Sequence, residues 1–302
     1  MLSLLAFTLA SATTRAPWDY TLSAELPQGP ATMPLYTVLA SAPVSTGDLQ
    51  DVFGITGTPE WVEFAGGVEI VTEGDAHLYN FDRGGSAFHD LGLAPGERRI
   101  RVVSDDTLWQ TSESLLEDLG LLDLDVVGLQ PDRTGGCTLE RHDGQGALVD
   151  RYSCGQAVAW QQTLEGWPTF GPGSDVAVHF GDAGVVIGFE STVRSVVAGA
   201  EMELIPPRAA LARALFEGSR TGRWNTLRSD TRGLVSVDID SVELGYFVPD
   251  RNGSPDVLVP VYAIHAIAAL DGSNGSTDAE ILWYEPAVRG VALPDLAIPA
   301  RN

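Results

Sequence analysis

The chain has 302 residues, 18 basic and 41 acidic side chains, and a formal net charge of -23. Every base is an arginine. A balance this negative opposes phosphate backbones and anionic lipid surfaces, which excludes nucleic-acid binding and adhesion to acidic membranes. With 44% hydrophobic residues, the chain is too apolar for a disordered acidic tail and long enough for one large core or two to three smaller ones.

Residues 1–12 form an apolar stretch that ends in Ala10-Ser11-Ala12. A short apolar run closed by small-x-small is the tail of a secretory signal peptide, so export is expected. No cysteine follows that point to carry a lipid anchor, and no later segment approaches 18 uninterrupted apolar residues. The expected location is extracytoplasmic, secreted or associated with the cell envelope, with no stable membrane insertion. Residues 13–33 hold Pro17, Pro27 and Pro30 without a sustained period and read as an extended lead-in.

An N-terminal unit is expected over 34–130. Its first helix spans 46–53, capped by Ser45 or Thr46 and stopped by Gly54; its second spans 113–119, between Ser112 and Gly120. Period-two stretches at 67–71, 77–81 and 100–103 read as half-buried strands. A second unit covers 131–200. Cys137 and Cys154 flank alternating residues on both sides of a glycine-bearing turn, and their midpoint falls between Gln145 and Gly146. That pattern predicts a β-hairpin closed by a structural disulfide, which contributes roughly 2–4 kcal/mol in an oxidising compartment. Strands follow at 158–163, 175–180 and 185–189. A C-terminal unit, 201–302, opens with a helix from Pro207 to Phe216, stopped by Gly218, and continues with strands at 234–240, 242–247, 257–264 and 279–284. The expected fold class is α+β: antiparallel sheets, each packed by a short helix.

The stretch Leu164-Glu-Gly166-Trp167-Pro168-Thr-Phe-Gly171, followed by the strand 175–180 and by Gly184, resembles a PepSY/FTP-type unit. It departs at Thr169, where that family usually has valine. Val242-Glu-Leu-Gly245-Tyr246 with Leu258-Val-Pro260-Val-Tyr262 is similar to extracytoplasmic regulators of the YycH/YycI kind. Pro34-Leu-Tyr36 and Phe53-Gly54-Ile55-Thr-Gly57 resemble the start of exported proteins of high-GC bacteria. The resemblance implies two to three PepSY/YycI-like units and an envelope location. It carries no catalytic residues.

Five histidines are available: His77, His89, His142, His179 and His265. No H-E-x-x-H, G-x-S-x-G or P-loop pattern occurs, so no catalytic residue, metal ligand or cofactor is assigned. His179 and His265 lie in apolar strands, where a structural role competes with a metal or general-base role. The loops 250–256 and 271–278 hold Asp and Asn-Gly and fit polar turns, with calcium coordination as the alternative. Trp160, Trp167, Phe170 and Gly171 mark a candidate partner-binding surface, where an edge strand near the Trp167–Gly171 turn would accept a partner segment by β-pairing. The expected function is an exported, non-catalytic protein that binds or regulates another envelope or secreted protein, such as a peptidase or a sensor kinase's outer domain. The alternatives are a secreted hydrolase built around His179 or His265, and a calcium-stabilised surface protein.

Overall fold

The computed structural model describes residues 19–39, 42–63, 67–81, 84–94, 98–142, 145, 147–221, 234–249, 256–272 and 275–291. The signal-like segment 1–12 and most of the 250–256 loop lie outside the described residues. In chain order the elements are β1 (Asp19–Leu22), β2 (Thr32–Val38), α1 (Thr46–Phe53), β3 (Glu60–Val62), β4 (Val68–Glu73), β5 (Ala76–Phe81) and β6 (Ser86–Asp90). Then come α2 (Asp105–Asp118), β7 (Val127–His142), β8 (Leu148–Leu164), β9 (Trp167–Phe170), β10 (Asp175–Phe180), β11 (Val186–Ser191) and β12 (Val196–Glu203). The last are α3 (Pro207–Thr221), β13 (Leu234–Phe247), β14 (Val257–Gly272) and β15 (Gly275–Pro286).

The helix ends follow from local chemistry. The Ser45 side chain accepts from the Asp48 amide while Asp48 reaches back to the Ser45 amide, and Gly54 closes α1 at a φ of 66°. Ser104 caps α2, with Asp105 and Asp106 at the positive end of the helix dipole. Leu108, Ser112, Leu115 and Leu116 give α2 one buried stripe at helical spacing.

Among the described residues, 15 strands join in one hydrogen-bonded mixed sheet, in the order β12-β2-β14-β13-β9-β8-β10-β11-β6-β5-β4-β3. β1 and β15 add beside β13 and β14, and β7 adds beside β8. β1–β13 and β9–β13 are parallel, and the other pairs are antiparallel. The inner face and the three helices bury one continuous apolar core that runs from Met33 to Ala287 and includes Leu78, Phe88, Trp160, Phe180, Phe189 and Ile264.

The expectation of an α+β protein, with a short helix packing each of several small antiparallel sheets in two to three PepSY/YycI-like units, is corrected. Among the described residues, 54% lie in strands and 15% in helices, and the strands are continuous across the sheet. The joint is β9, four residues long. Thr163 and Leu164 pair with it on one side, and Tyr246 and Phe247 pair with it in parallel on the other. Two register pairs per edge leave no periodic trace in the sequence.

Two local expectations also shift. α2 begins at Asp105, two turns before the expected start. The stretch 100–103 forms no strand: its backbone bonds to groups on distant segments instead. Val103 donates to the Gln156 amide oxygen (2.9 Å) and accepts from the Gln156 amide nitrogen (3.0 Å), while the Arg101 amide donates to Asp182 (2.7 Å).

Candidate functional site

The residues of the expected partner surface occupy different environments. Trp160 is buried in the core. Its ring meets Trp109 edge-on at 5.3 Å, and its indole N–H donates to the Ser112 hydroxyl at 3.1 Å. Trp167 is half-buried against the same core. Phe170 lies at the rim of a small second cluster and stacks on Tyr284 at 6.3 Å. Gly171 has a φ of 100°, and a Cβ there would meet the Phe247 ring at 2.5 Å and the Val248 carbonyl at 2.6 Å, so only glycine fits. β9 pairs with β8 at Trp167 and Pro168 and, on its other edge, in parallel with β13 at Thr169 and Phe170.

Cys137 and Cys154 stand at disulfide distance, with Cα atoms 5.1 Å apart. Their link sits partway along the β7–β8 hairpin, next to a bulge between Cys137 and Thr138, and not at its base: pairing continues inward to Val127–Leu164 and outward to His142–Leu148. Beyond the link the hairpin is a largely exposed arm. Arg99 clamps its flank by pairing with Asp150 at 3.0 Å and lying over the Tyr152 ring at 5.6 Å. Leu148 and Val149 stand more than half exposed near its tip.

Two histidine sets emerge that local spacing does not reveal. Strand register places His179, Gly188, His89 and His77 in one row across β10, β11, β6 and β5. The neighbouring row is Ala177, Glu190, Ala87 and Tyr79. Paired residues share a face, so His89, His179 and Glu190 project together from the outer side. The Nε2 atoms of His89 and His179 lie 3.9 and 4.0 Å from the same Glu190 oxygen, Oε1. Burial holds His179 below the usual imidazole range; Glu190 opposes that shift and His89 adds to it. His77 turns aside, with Nδ1 3.3 Å from the Thr72 hydroxyl.

The second set lies on the C-terminal strands. His265 of β14 has Nδ1 2.5 Å from Asp240 of β13 and Nε2 2.7 Å from Glu280 of β15. The hydrogen bond that Asp240 accepts from His265 is the largest cause of a raised His265 pKa, and Glu280 adds to it. A triad would need a hydroxyl at Nε2, and here a second carboxylate occupies that position. The arrangement can bridge three strands as an imidazolium between two carboxylates. It offers no nucleophile.

Among the described residues, no group of three or more His, Cys, Asp or Glu side chains could hold a metal ion, and no helix is long and apolar enough to cross a membrane. Of the 271–278 loop, Ser273 and Asn274 lie outside the described residues, while Gly272 and Gly275 close the β14–β15 hairpin.

No family model matches the chain and no curated protein matches its sequence. Among solved structures, an uncharacterised protein from Eubacterium rectale is similar over 90% of each chain, at 8% identity and a TM-score of 0.47.

Proposed function

We propose that this chain acts outside the cytoplasm as a non-catalytic protein that binds another envelope or secreted protein through its β7–β8 arm. The location is supported by Cys137 and Cys154 at disulfide distance, a pairing that persists in oxidising compartments. The observation that carries the binding role is the arm itself. It is cross-linked at mid-length, clamped by Arg99 at its flank, and presents Leu148 and Val149 to solvent. Two exposed apolar side chains on a stiffened support lose little conformational freedom when a partner covers them, so they retain more of their burial energy as affinity.

The test uses the full chain and a Leu148→Asp/Val149→Asp variant as baits against an envelope extract, followed by reconstitution of the captured protein in pure form. Both positions are exposed, so the variant keeps the parent's melting temperature. A purified partner that binds the parent and not the variant supports the reading. Binding unaffected by the double substitution, or no binding that survives purification, overturns it.

A further inference from the structure

We propose that the Cys137–Cys154 link is a redox switch, opened by a dithiol that attacks at Cys137, and that it sets how well the outer β7–β8 arm is held for a partner. The consequence for binding rests on the arm reading above; the opening of the arm does not.

The link stands on a boundary. On its body side Gln156, Val158, Ala159 and Trp160 are buried, and Val158 and Trp160 belong to the main core. From Thr138 to Ser153 no described residue is buried, and none belongs to that core. The ladder of this outer stretch is also irregular, with register shifts between Cys137 and Thr138 and between Arg141 and His142. A two-stranded ribbon without a packed face is marginal in water. The Arg99–Asp150 pair at its flank is partly exposed, where such a pair contributes little. The covalent tie is therefore the strongest restraint on the arm, and its loss raises the fraction of molecules in which the arm is open.

The two cysteines offer a reductant unequal access. Cys154 is 4% exposed. Cys137 is exposed, as are Gly135, Gly136 and Thr138 around it, and a Cβ at Gly135 would meet nothing within 4 Å. A thiolate of the dithiol attacks Cys137 Sγ and forms a mixed disulfide. The Cys137–Cys154 bond breaks, and its electron pair leaves on Cys154 Sγ, which takes up a proton. The second thiolate of the same reductant then attacks its partner sulfur and displaces Cys137, which is protonated in turn. The protein gains two electrons and two protons, and the dithiol leaves as a cyclic disulfide.

Parent reduced with dithiothreitol in native buffer and blocked with iodoacetamide, and a Cys137→Ala/Cys154→Ala variant, are digested briefly with trypsin beside the oxidised parent. The chain has no lysine, so every tryptic cut reports an arginine. Cleavage after Arg141 and Arg151 should rise about tenfold or more without the link, while cleavage after Arg133, on the body side, should not change. In single-thiol variants, Cys137 of Cys154→Ser should react with a chromogenic aromatic disulfide about tenfold or more faster than Cys154 of Cys137→Ser. The purified partner should bind the double-alanine variant about tenfold or more weakly than the oxidised parent. A link that dithiothreitol opens only in unfolding urea, cleavage at Arg141 and Arg151 that ignores the link, or faster reaction at Cys154 would overturn the proposal. Equal partner affinity with and without the link, once cleavage shows the arm open, would overturn the gating. The tryptic and thiol readouts need no partner, so their failure is distinct from failure of the arm as a binding surface.

Discussion

Reduction of the Cys137–Cys154 link is the perturbation that tests most of the β7–β8 account at once, because it changes no other atom. The two residues are separated by 17 positions in the chain. Opening a loop of that length returns entropy to the unfolded chain worth about 3 kcal/mol at 25 °C. The native state should change little, since β7 and β8 remain paired from Val127–Leu164 to His142–Leu148. The loss should therefore appear as a lower urea midpoint with a nearly constant slope. Cys137→Ala, which cannot reoxidise, should match the reduced parent. Hydrogen exchange localises the effect. Amides from Thr138 to Ser153 lie beyond the link and should lose protection, while those of Val158 to Leu164, paired on both sides by β7 and by β10 or β9, should keep theirs. A midpoint shift worth less than about 1 kcal/mol, together with unchanged exchange over 138–153, would show that the link constrains nothing and refute the reasoning.

Three other substitutions probe separate contacts. Trp160→Phe removes the indole donor from the Ser112 hydroxyl and part of the packing against Trp109. A loss of about 1–3 kcal/mol in urea unfolding is expected, and a neutral result would place Trp160 outside the core network. His265→Gln tests the three-strand bridge. Because the folded pKa is raised, its stabilisation is fully present below the unfolded value near 6.5 and fades as pH rises through the folded value. The bridge is partly exposed and screened, so the loss should stay within about 1 kcal/mol. Parent and variant melting temperatures should differ at pH 5.5 and converge at pH 9; a difference larger at pH 9 would contradict the bridge. Glu165 holds a φ of 48° beside Gly166 at 81°, the pattern of a type I′ turn. Glu165→Asn should raise stability by about 0.5–1 kcal/mol in thermal unfolding, since asparagine enters that region at lower cost. A fall would show that the carboxylate contributes more than the turn strain costs.

What the sequence disclosed depended on how far apart the causes lie. α1 was legible at both ends because Ser45, Asp48 and Gly54 sit within ten residues and act on each other. The first half of α2 was not. Ser112 reads as a cap, yet it lies mid-helix with its hydroxyl donating to the Trp109 carbonyl at 2.9 Å and accepting from Trp160. That second role is set by a residue 48 positions away. The hairpin around Cys137 and Cys154 was legible because its two strands are contiguous. The continuity of the sheet was not, because it runs through β9 and its parallel pairing with Tyr246 and Phe247. The histidine sets follow the same rule. His179 and His265 were visible as polar residues in apolar strands. Their partners were not, because His89 meets Glu190 only through the pairing of β6 with β11, and Asp240 meets His265 only through β13 with β14.

The charge composition explains why histidines stand where they do. With 41 acids and 18 arginines, the carboxylates outnumber the permanent cations. Arginine is spent on joining distant segments: Arg99 to Asp150, Arg101 to Asp182, Arg133 to Asp175, and Arg213 to Glu285. Its planar fork suits such fixed pairings. In a chain without lysine, histidine is the other side chain that can meet a carboxylate as a cation, and its charge turns over between pH 5 and 8. Full protonation of the five histidines would move the formal charge only from -23 to -18, too little to alter the overall repulsion greatly. The response to mild acid must then come from the few places where imidazole and carboxylate touch. At His265 a proton strengthens a bridge between two acids. At His179, burial opposes the charged form while Glu190 favours it, so the two histidine sets answer the same proton differently.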